Sequence, residues 1–150
     1  MTRIYVGMRG GLLVADEEAP GSVASHFEGS NVTRVALDPA NPARVYAGLY
    51  SGEELGGQPE ASTKDGLRGV WRSDDGGKTW HNCSAGLAHA ATTSLAVRDD
   101  SGGDGAVYAG SEPSALSISH DDGATWQRAG DLTALPSAPG WAFPPRPYTH

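Results

Sequence analysis

Two octets carry adjacent carboxylates: Ser-Asp-Asp-Gly-Gly-Lys-Thr-Trp over 73–80 and Ser-His-Asp-Asp-Gly-Ala-Thr-Trp over 119–126. Paired acids such as Asp74-Asp75 and Asp121-Asp122 can bind Ca²⁺, but a Ca²⁺ loop spreads its oxygen ligands over about twelve residues, more than either octet offers. A single carboxylate, Glu112, stands in the tight run Ser111-Glu112-Pro113-Ser114. It can serve as a general acid or as a hydrogen-bond acceptor, and alone it establishes neither. Arg9, Arg68 and Arg146 can clamp a carboxylate or phosphate bidentately; the competing reading is three surface arginines in an acidic protein. Trp141 and Phe143 can stack on a sugar ring or cap the core, and Tyr148 and His150 follow them near the end of the chain. Glu53, Glu54, Glu60 and Asp65 fall in a Gly-rich stretch and read as a solvated loop tip.

Other chemistries lack their residues. No Ser-His-Asp order and no Gly-rich phosphate loop leading through Lys into a helix is present. The one cysteine, Cys83, excludes an internal disulfide and a multi-cysteine zinc site. It reads as a small buried residue. We therefore expect no cofactor and no metal. Eleven basic against 18 acidic residues leave a net charge of −7, which repels phosphate backbones and argues against a nucleic-acid partner. No run approaches the roughly 18 apolar residues of a membrane span, and no apolar leader opens the chain, so a cytoplasmic location without membrane contact is expected.

The elements that must position these residues are legible as repeats. The octets stand 46 residues apart. Ahead of them lie Val45-Tyr46-Ala47-Gly48 and Val107-Tyr108-Ala109-Gly110, echoed by Ile4-Tyr5-Val6-Gly7. Before the first two come Val35-Ala36-Leu37 and Leu95-Ala96-Val97. Each run is short, rich in Val, Tyr, Leu and Trp, and bounded by Gly, Asp, Asn or Pro, which is the pattern of strands rather than helices. Glycine and proline, 31 residues in 150, supply the turns. Four short strands in about 45 residues are one β-propeller blade. The spacing predicts strands A to D of one blade near 32–37, 44–48, 69–73 and 79–83, and of the next near 92–97, 106–110, 114–119 and 125–129. Residues 3–7, 11–15 and Val23 to Phe27 read as strands B, C and D of an earlier, degenerate blade. The fold expected is all-β, a partial propeller of about three four-stranded antiparallel blades, with blade 1 at about 1–30, blade 2 at about 31–86, blade 3 at about 90–130 and a fourth beginning at about 141–150.

Ser-x-Asp-x-Gly-x-Thr-Trp is the pattern of the Asp-box, or BNR repeat. The chain thus resembles the Asp-box propellers, which include sialidases, sortilin-type receptors, xyloglucanase-like hydrolases and photosystem assembly-factor-like proteins. Ser111 to Leu116, Leu135-Pro136-Ser137 and Trp141 to Pro147 look like a prokaryotic branch known as glycosyl-hydrolase-like, of which this chain would cover the first half. The resemblance implies architecture more than activity, because one propeller carries many functions. The Arg-Ile-Pro triplet of sialidases is missing: Arg3-Ile4 is followed by Tyr5.

The octet chemistry needs no substrate. Gly77 and Gly123 suit positive φ in the turn between strands C and D. Asp75 and Asp121 can accept from inward backbone N–H groups, Ser73 and Ser119 can bond across the turn, Thr79 and Thr125 restart a strand, and Trp80 and Trp126 bury a ring against the neighbouring sheet. Function is expected at the opposite end, where the B–C loops and D–A connections gather Arg9, Arg68, Glu112, Trp141, Arg146 and His150. The reading is a non-catalytic scaffold that binds a carbohydrate, a small anion or a partner there, within a longer protein or by self-association that completes the propeller. The alternative is a glycoside hydrolase with part of its catalytic set outside the chain.

Overall fold

The computed structural model describes residues 2–50, 67–98 and 105–141. The fold is a partial β-propeller of three antiparallel sheets. Blade 1 contains β1 (Arg3–Met8), β2 (Gly11–Asp16) and β3 (Ala19–His26). Blade 2 contains β4 (Asn31–Leu37), β5 (Val45–Tyr50), β6 (Gly69–Ser73) and β7 (His81–Asn82). Blade 3 contains β8 (Ala91–Arg98), β9 (Ala106–Glu112), β10 (Ala115–Ser119) and β11 (Gln127–Arg128). In every blade the strands pair in sequence order as a meander, and blade 1 begins at the strand equivalent to B. A–B and C–D turns therefore share one end of the propeller, with B–C and D–A connections at the other.

Strand alternation gives each blade a rear face toward the preceding blade and a front face toward the next. Two apolar layers fill the gaps. Leu12, Val14 and Phe27 of blade 1 meet Val32, Ala47 and Leu49 of blade 2. Tyr46, Val70 and Cys83 of blade 2 meet Val107, Ala109 and Trp126 of blade 3. All six residues of β5 are buried, because blade 2 is covered on both faces. Rings reinforce the first gap, with Phe27 edge-on to Trp71 and Trp80 at 5.4 and 5.3 Å between centroids.

Close approach of blades needs small residues on the front face. At Gly48 an added Cβ would lie 2.8 Å from Thr92 Cγ2 of the next blade. The A strands also bind across the gap through a shared irregularity, a register shift between Val32 and Arg34 in β4 and between Thr92 and Ser94 in β8. It turns out the Thr33 hydroxyl, 3.0 Å from the Gly48 carbonyl and 2.7 Å from that of Thr92.

Three details depart from the sequence expectation. The D strands shrink from the expected 79–83 and 125–129 to two residues each, because the N–H groups of Thr79 and Thr125 are taken by carboxylates of the preceding turn. Strand B continues to Tyr50 in blade 2 and to Glu112 in blade 3, so the expected loop 111–114 is a turn of Pro113 and Ser114. The connection after blade 3 holds two 3-10 turns, Leu132–Ala134 and Ala138–Gly140, the first capped by the Asp131 carboxylate. Among the described residues no helix is long and apolar enough to cross a membrane.

Candidate functional site

At the A–B and C–D end, the octets form closed hydrogen-bond systems. Asp75 Oδ1 accepts from the Ser73 hydroxyl at 2.8 Å and from the backbone N–H groups of Lys78 and Thr79 at 2.9 Å each. Its Oδ2 accepts from the Thr79 hydroxyl at 2.6 Å. Ser73 Oγ in turn accepts from the Gly77 N–H at 2.7 Å. The second octet repeats this with Ser119, Asp121, Gly123 and Thr125. Hydrogen bonds to the ionised form, from the Thr79 hydroxyl first, hold the Asp75 carboxyl far below the usual range, and the Thr125 bonds lower Asp121 to about 2. Gly77 has φ +86°, and a Cβ there would sit 2.9 Å from Tyr5 Cε1 of blade 1. Gly77→Ala combines that contact with left-handed backbone strain, so a loss of about 1–3 kcal/mol is expected in urea unfolding. The two tryptophans differ in burial: Trp126 lies in the core and donates from Nε1 to the Cys83 carbonyl at 2.6 Å, while Trp80 is half-buried and donates to Gly77. Cys83 is buried, which pushes its thiol up to about 12.

Each octet also receives bonds from the preceding blade. The Tyr5 hydroxyl donates to the Gly76 carbonyl at 3.0 Å and the Arg3 guanidinium to the same oxygen at 2.6 Å. One blade on, the Tyr46 hydroxyl donates to the Asp122 carbonyl at 3.2 Å, joined by Arg72 at 2.7 Å. Arg44 binds the Asp122 carboxylate at 2.6 Å and Asp74 at 2.9 Å. A cleft of about 330 Å³ opens beside this network, lined in part by Asp38, Arg44, Arg98, His120 and Asp122. Its central charges satisfy one another, Arg44 also lying 3.6 Å from Asp38, so the network joins blades. Sequence reasoning did not single out Arg44 or Arg72. Their signal was position: Arg3 and Arg44 both stand two residues before the strand-B tyrosine, and Arg72 immediately precedes the first octet. Among the described residues no group of three or more His, Cys, Asp or Glu side chains could hold a metal.

The opposite end holds the residues expected to bind. Arg9 is exposed in the β1–β2 turn, Arg68 is half-buried just before β6, and Trp141 is half-buried where the second 3-10 turn closes. Glu112 ends β9. Its Oε2 accepts from the Tyr50 hydroxyl at 3.1 Å, across the boundary between blades 2 and 3. Tyr50, only 2% exposed, escaped the sequence reading because it lies beyond the expected end of strand B. The Arg68 carbonyl is engaged by the Trp71 indole N–H at 3.1 Å, which fixes the chain that presents Arg68. Arg146, His150, Tyr148 and Phe143, with the acids at 53, 54, 60 and 65, lie outside the described residues, as does the expected start of a fourth blade beyond Trp141.

No protein-family model matches the chain, and no curated protein does. Solved structures do. A GH74 enzyme from Niastella koreensis superimposes with a TM-score of 0.55 at 20% identity, covering 86% of this chain and 17% of that one. The GH74 xyloglucanase from Xanthomonas campestris gives 0.52 at 19% identity, over 86% of this chain and 22% of its own. YCF48 bound to a D1 peptide gives 0.50 at 12% identity, over 84% of this chain and 36% of its own. This chain thus spans about a third or less of those lengths. Identities this low establish a shared propeller fold and nothing finer.

Proposed function

We propose that this chain is an Asp-box propeller scaffold that binds a polar ligand, an acidic carbohydrate or small organic anion, at the end formed by its B–C turns and D–A connections, acting in the cytoplasm. The observation that carries this reading is the Glu112–Tyr50 pair at that end. A carboxylate held by a buried hydroxyl from another blade is a rigid acceptor, and acceptors on fixed elements are how pockets orient hydroxyl-bearing ligands. Arg9 and Arg68, presented at the same end of their strands, supply the positive charge an acidic ligand requires. The Ser-x-Asp-x-Gly-x-Thr-Trp chemistry of both octets supports the Asp-box assignment, since every polar member serves the turn and none is left for a ligand.

A titration of isotope-labelled protein with glucuronate, galacturonate and an oligogalacturonide tests this reading. Amide shifts are expected at Arg9, Arg68, Tyr50 and Glu112, and Glu112→Gln combined with Tyr50→Phe should weaken binding by about tenfold, the worth of one charge-assisted hydrogen bond. Absence of shifts with all three probes, or shifts confined to the octet end, would overturn it. The glycoside hydrolase reading shares fold with the GH74 structures and requires a second carboxylate about 5–10 Å from Glu112. Hydrolysis of a β-glucan, abolished by Glu112→Gln alone, would select it instead.

A further inference from the structure

The blades repeat closely enough that a residue of one can be judged against its equivalent in another. Val32 of β4 and Thr92 of β8 share one such place, each just before the register shift of its strand. Each seats a methyl group on the strand-B glycine of the preceding blade: a Cβ added at Gly7 would lie 3.0 Å from Val32 Cγ1, and one at Gly48 would lie 2.8 Å from Thr92 Cγ2. Valine and threonine have the same shape, so this contact does not ask for a hydroxyl. At Val32 the slot is apolar, with Leu49 as register partner, and the side chain joins the core between blades 1 and 2. Thr92 puts a hydroxyl into the equivalent slot. The residue is 1% exposed, and among the described residues its Oγ1 has no hydrogen-bond partner. A buried, unsatisfied hydroxyl costs stability that a valine would keep.

The register partner of Thr92 changes in the same direction. It is Ser111, where blade 2 has Leu49, and the next residue along strand B is Glu112. Paired residues of an antiparallel ladder project to one face, so Thr92 and Ser111 both turn toward blade 2. Gly48, on which Thr92 rests, stands two residues before Tyr50 on the same face of β5, and the Tyr50–Glu112 hydrogen bond spans this boundary. The Ser111 hydroxyl donates to the Pro113 carbonyl at 3.2 Å, which leaves its oxygen able to accept. The methyl branch of Thr92 takes the contact with Gly48, so the hydroxyl branch is turned from it. Two hydroxyls thus stand between blades 2 and 3 where Val32 and Leu49 stand between blades 1 and 2.

Hydroxyls placed where packing does not need them, one of them unsatisfied, suit a ligand that brings hydroxyls of its own. We propose that the ligand site at this end reaches inward to Thr92 and Ser111, and that its ligand is a polyhydroxylated acid of the uronate type rather than a simple carboxylate. This rests on the binding role proposed above for Glu112 and Tyr50. The Thr92 hydroxyl can donate to a sugar oxygen and accept from a sugar hydroxyl, while Ser111 and Glu112 accept. Because the Thr92 oxygen is closed to solvent, the ligand must part blades 2 and 3 at this end to reach it. Binding therefore includes an opening step. A site that pairs its buried hydroxyl with one of the ligand rejects an analogue lacking it, because the protein group is then left unpaired again.

Galacturonate and cyclohexanecarboxylate separate the two classes, since both carry a carboxylate on a six-membered ring and only the first carries hydroxyls. In titration calorimetry the wild-type chain should bind galacturonate at least about tenfold more tightly. Thr92→Val should erase most of that preference and leave the affinity for cyclohexanecarboxylate unchanged, whereas Thr92→Ser should retain it. Without ligand, Thr92→Val should melt no lower than wild type, because it removes an unpaired group. A lower melting temperature would show that the hydroxyl has a partner in the free protein, and would overturn the inference. Equal wild-type affinity for the two acids, or a preference that survives in Thr92→Val, would overturn it as well and leave a small-anion site at Glu112 and Tyr50 standing. Failure of both acids to bind would overturn it too, and failure of the oligogalacturonide besides would overturn the site itself.

Discussion

Trp126→Ala is expected to lower unfolding free energy by about 3–5 kcal/mol, the range for deleting a large aromatic ring from a packed core. The ring fills the gap between blades 2 and 3 with Tyr46, Val70, Cys83, Val107 and Ala109. It also satisfies the Cys83 carbonyl at 2.6 Å, which truncation would leave without its indole donor. The backbone around it is equally confined, since a Cβ on Gly86 would meet the Trp126 carbonyl at 2.6 Å. Collapse into the void is therefore hindered and the cost should fall at the upper part of that range. Trp126→Phe keeps most of the packing and loses the hydrogen bond, so a smaller loss of about 1–2 kcal/mol separates the two contributions. Urea denaturation followed by tyrosine fluorescence measures both. An alanine variant within about 1 kcal/mol of wild type would show that the ring does not bear the contact between these blades.

The second large effect belongs to Asp75, whose carboxylate accepts four hydrogen bonds within one turn. Asp75→Ala should cost about 1.5–3 kcal/mol, the worth of bonds to a charged acceptor at a partly exposed site, and should loosen the neighbouring blade through Gly76, which receives Tyr5 and Arg3. The same geometry sets a pH dependence. Both octet carboxyls have folded pKa values below their unfolded value of about 3.9. Their stabilisation is therefore fully present above about pH 4 and is lost as pH falls toward the folded values, Asp121 protonating near about 2. Thermal melts from pH 5 to about pH 2 should show a steep fall in wild type. In the double variant Asp75→Asn and Asp121→Asn the melting temperature should start lower at neutral pH and fall less. Parallel curves would mean that the acid sensitivity arises elsewhere, as at Asp16, whose carboxyl is lowered by its hydrogen bond from Arg3.

The architecture was legible because its signals are local and repeated. A Ser, Asp, Gly, Thr and Trp set recurring at fixed offsets defines a turn, and Val-Tyr-Ala-Gly defines the strand before it. Contacts between blades were not legible in the same way. Tyr46 and Asp122 are 76 residues apart, and nothing in either neighbourhood says that one donates to the other. Tyr50 shows the same limit at the candidate site. The Gly48 position read as the end of a strand, since glycine usually weakens one, yet it is there to admit Thr92, and the strand runs on to bring Tyr50 under Glu112. The short D strands were missed for a related reason: the octet competes with the ladder for the N–H groups of Thr79 and Thr125.

The complete burial of β5 carries a consequence for how the molecule breathes. Neighbour-only stacking makes stability approximately a chain of nearest-neighbour couplings. Among the described residues the middle sheet has two such couplings, and each outer sheet has one. Amides of Val45–Tyr50 can exchange with solvent only when a whole flanking sheet lifts away, whereas those at the periphery exchange through smaller openings. Glu112 ends a strand of one outer sheet and Tyr50 ends the central one, so their hydrogen bond straddles that gradient. A molecule that engages both residues ties a loosely held sheet to the most firmly held one, and its binding energy then registers as protection against exchange throughout blade 3.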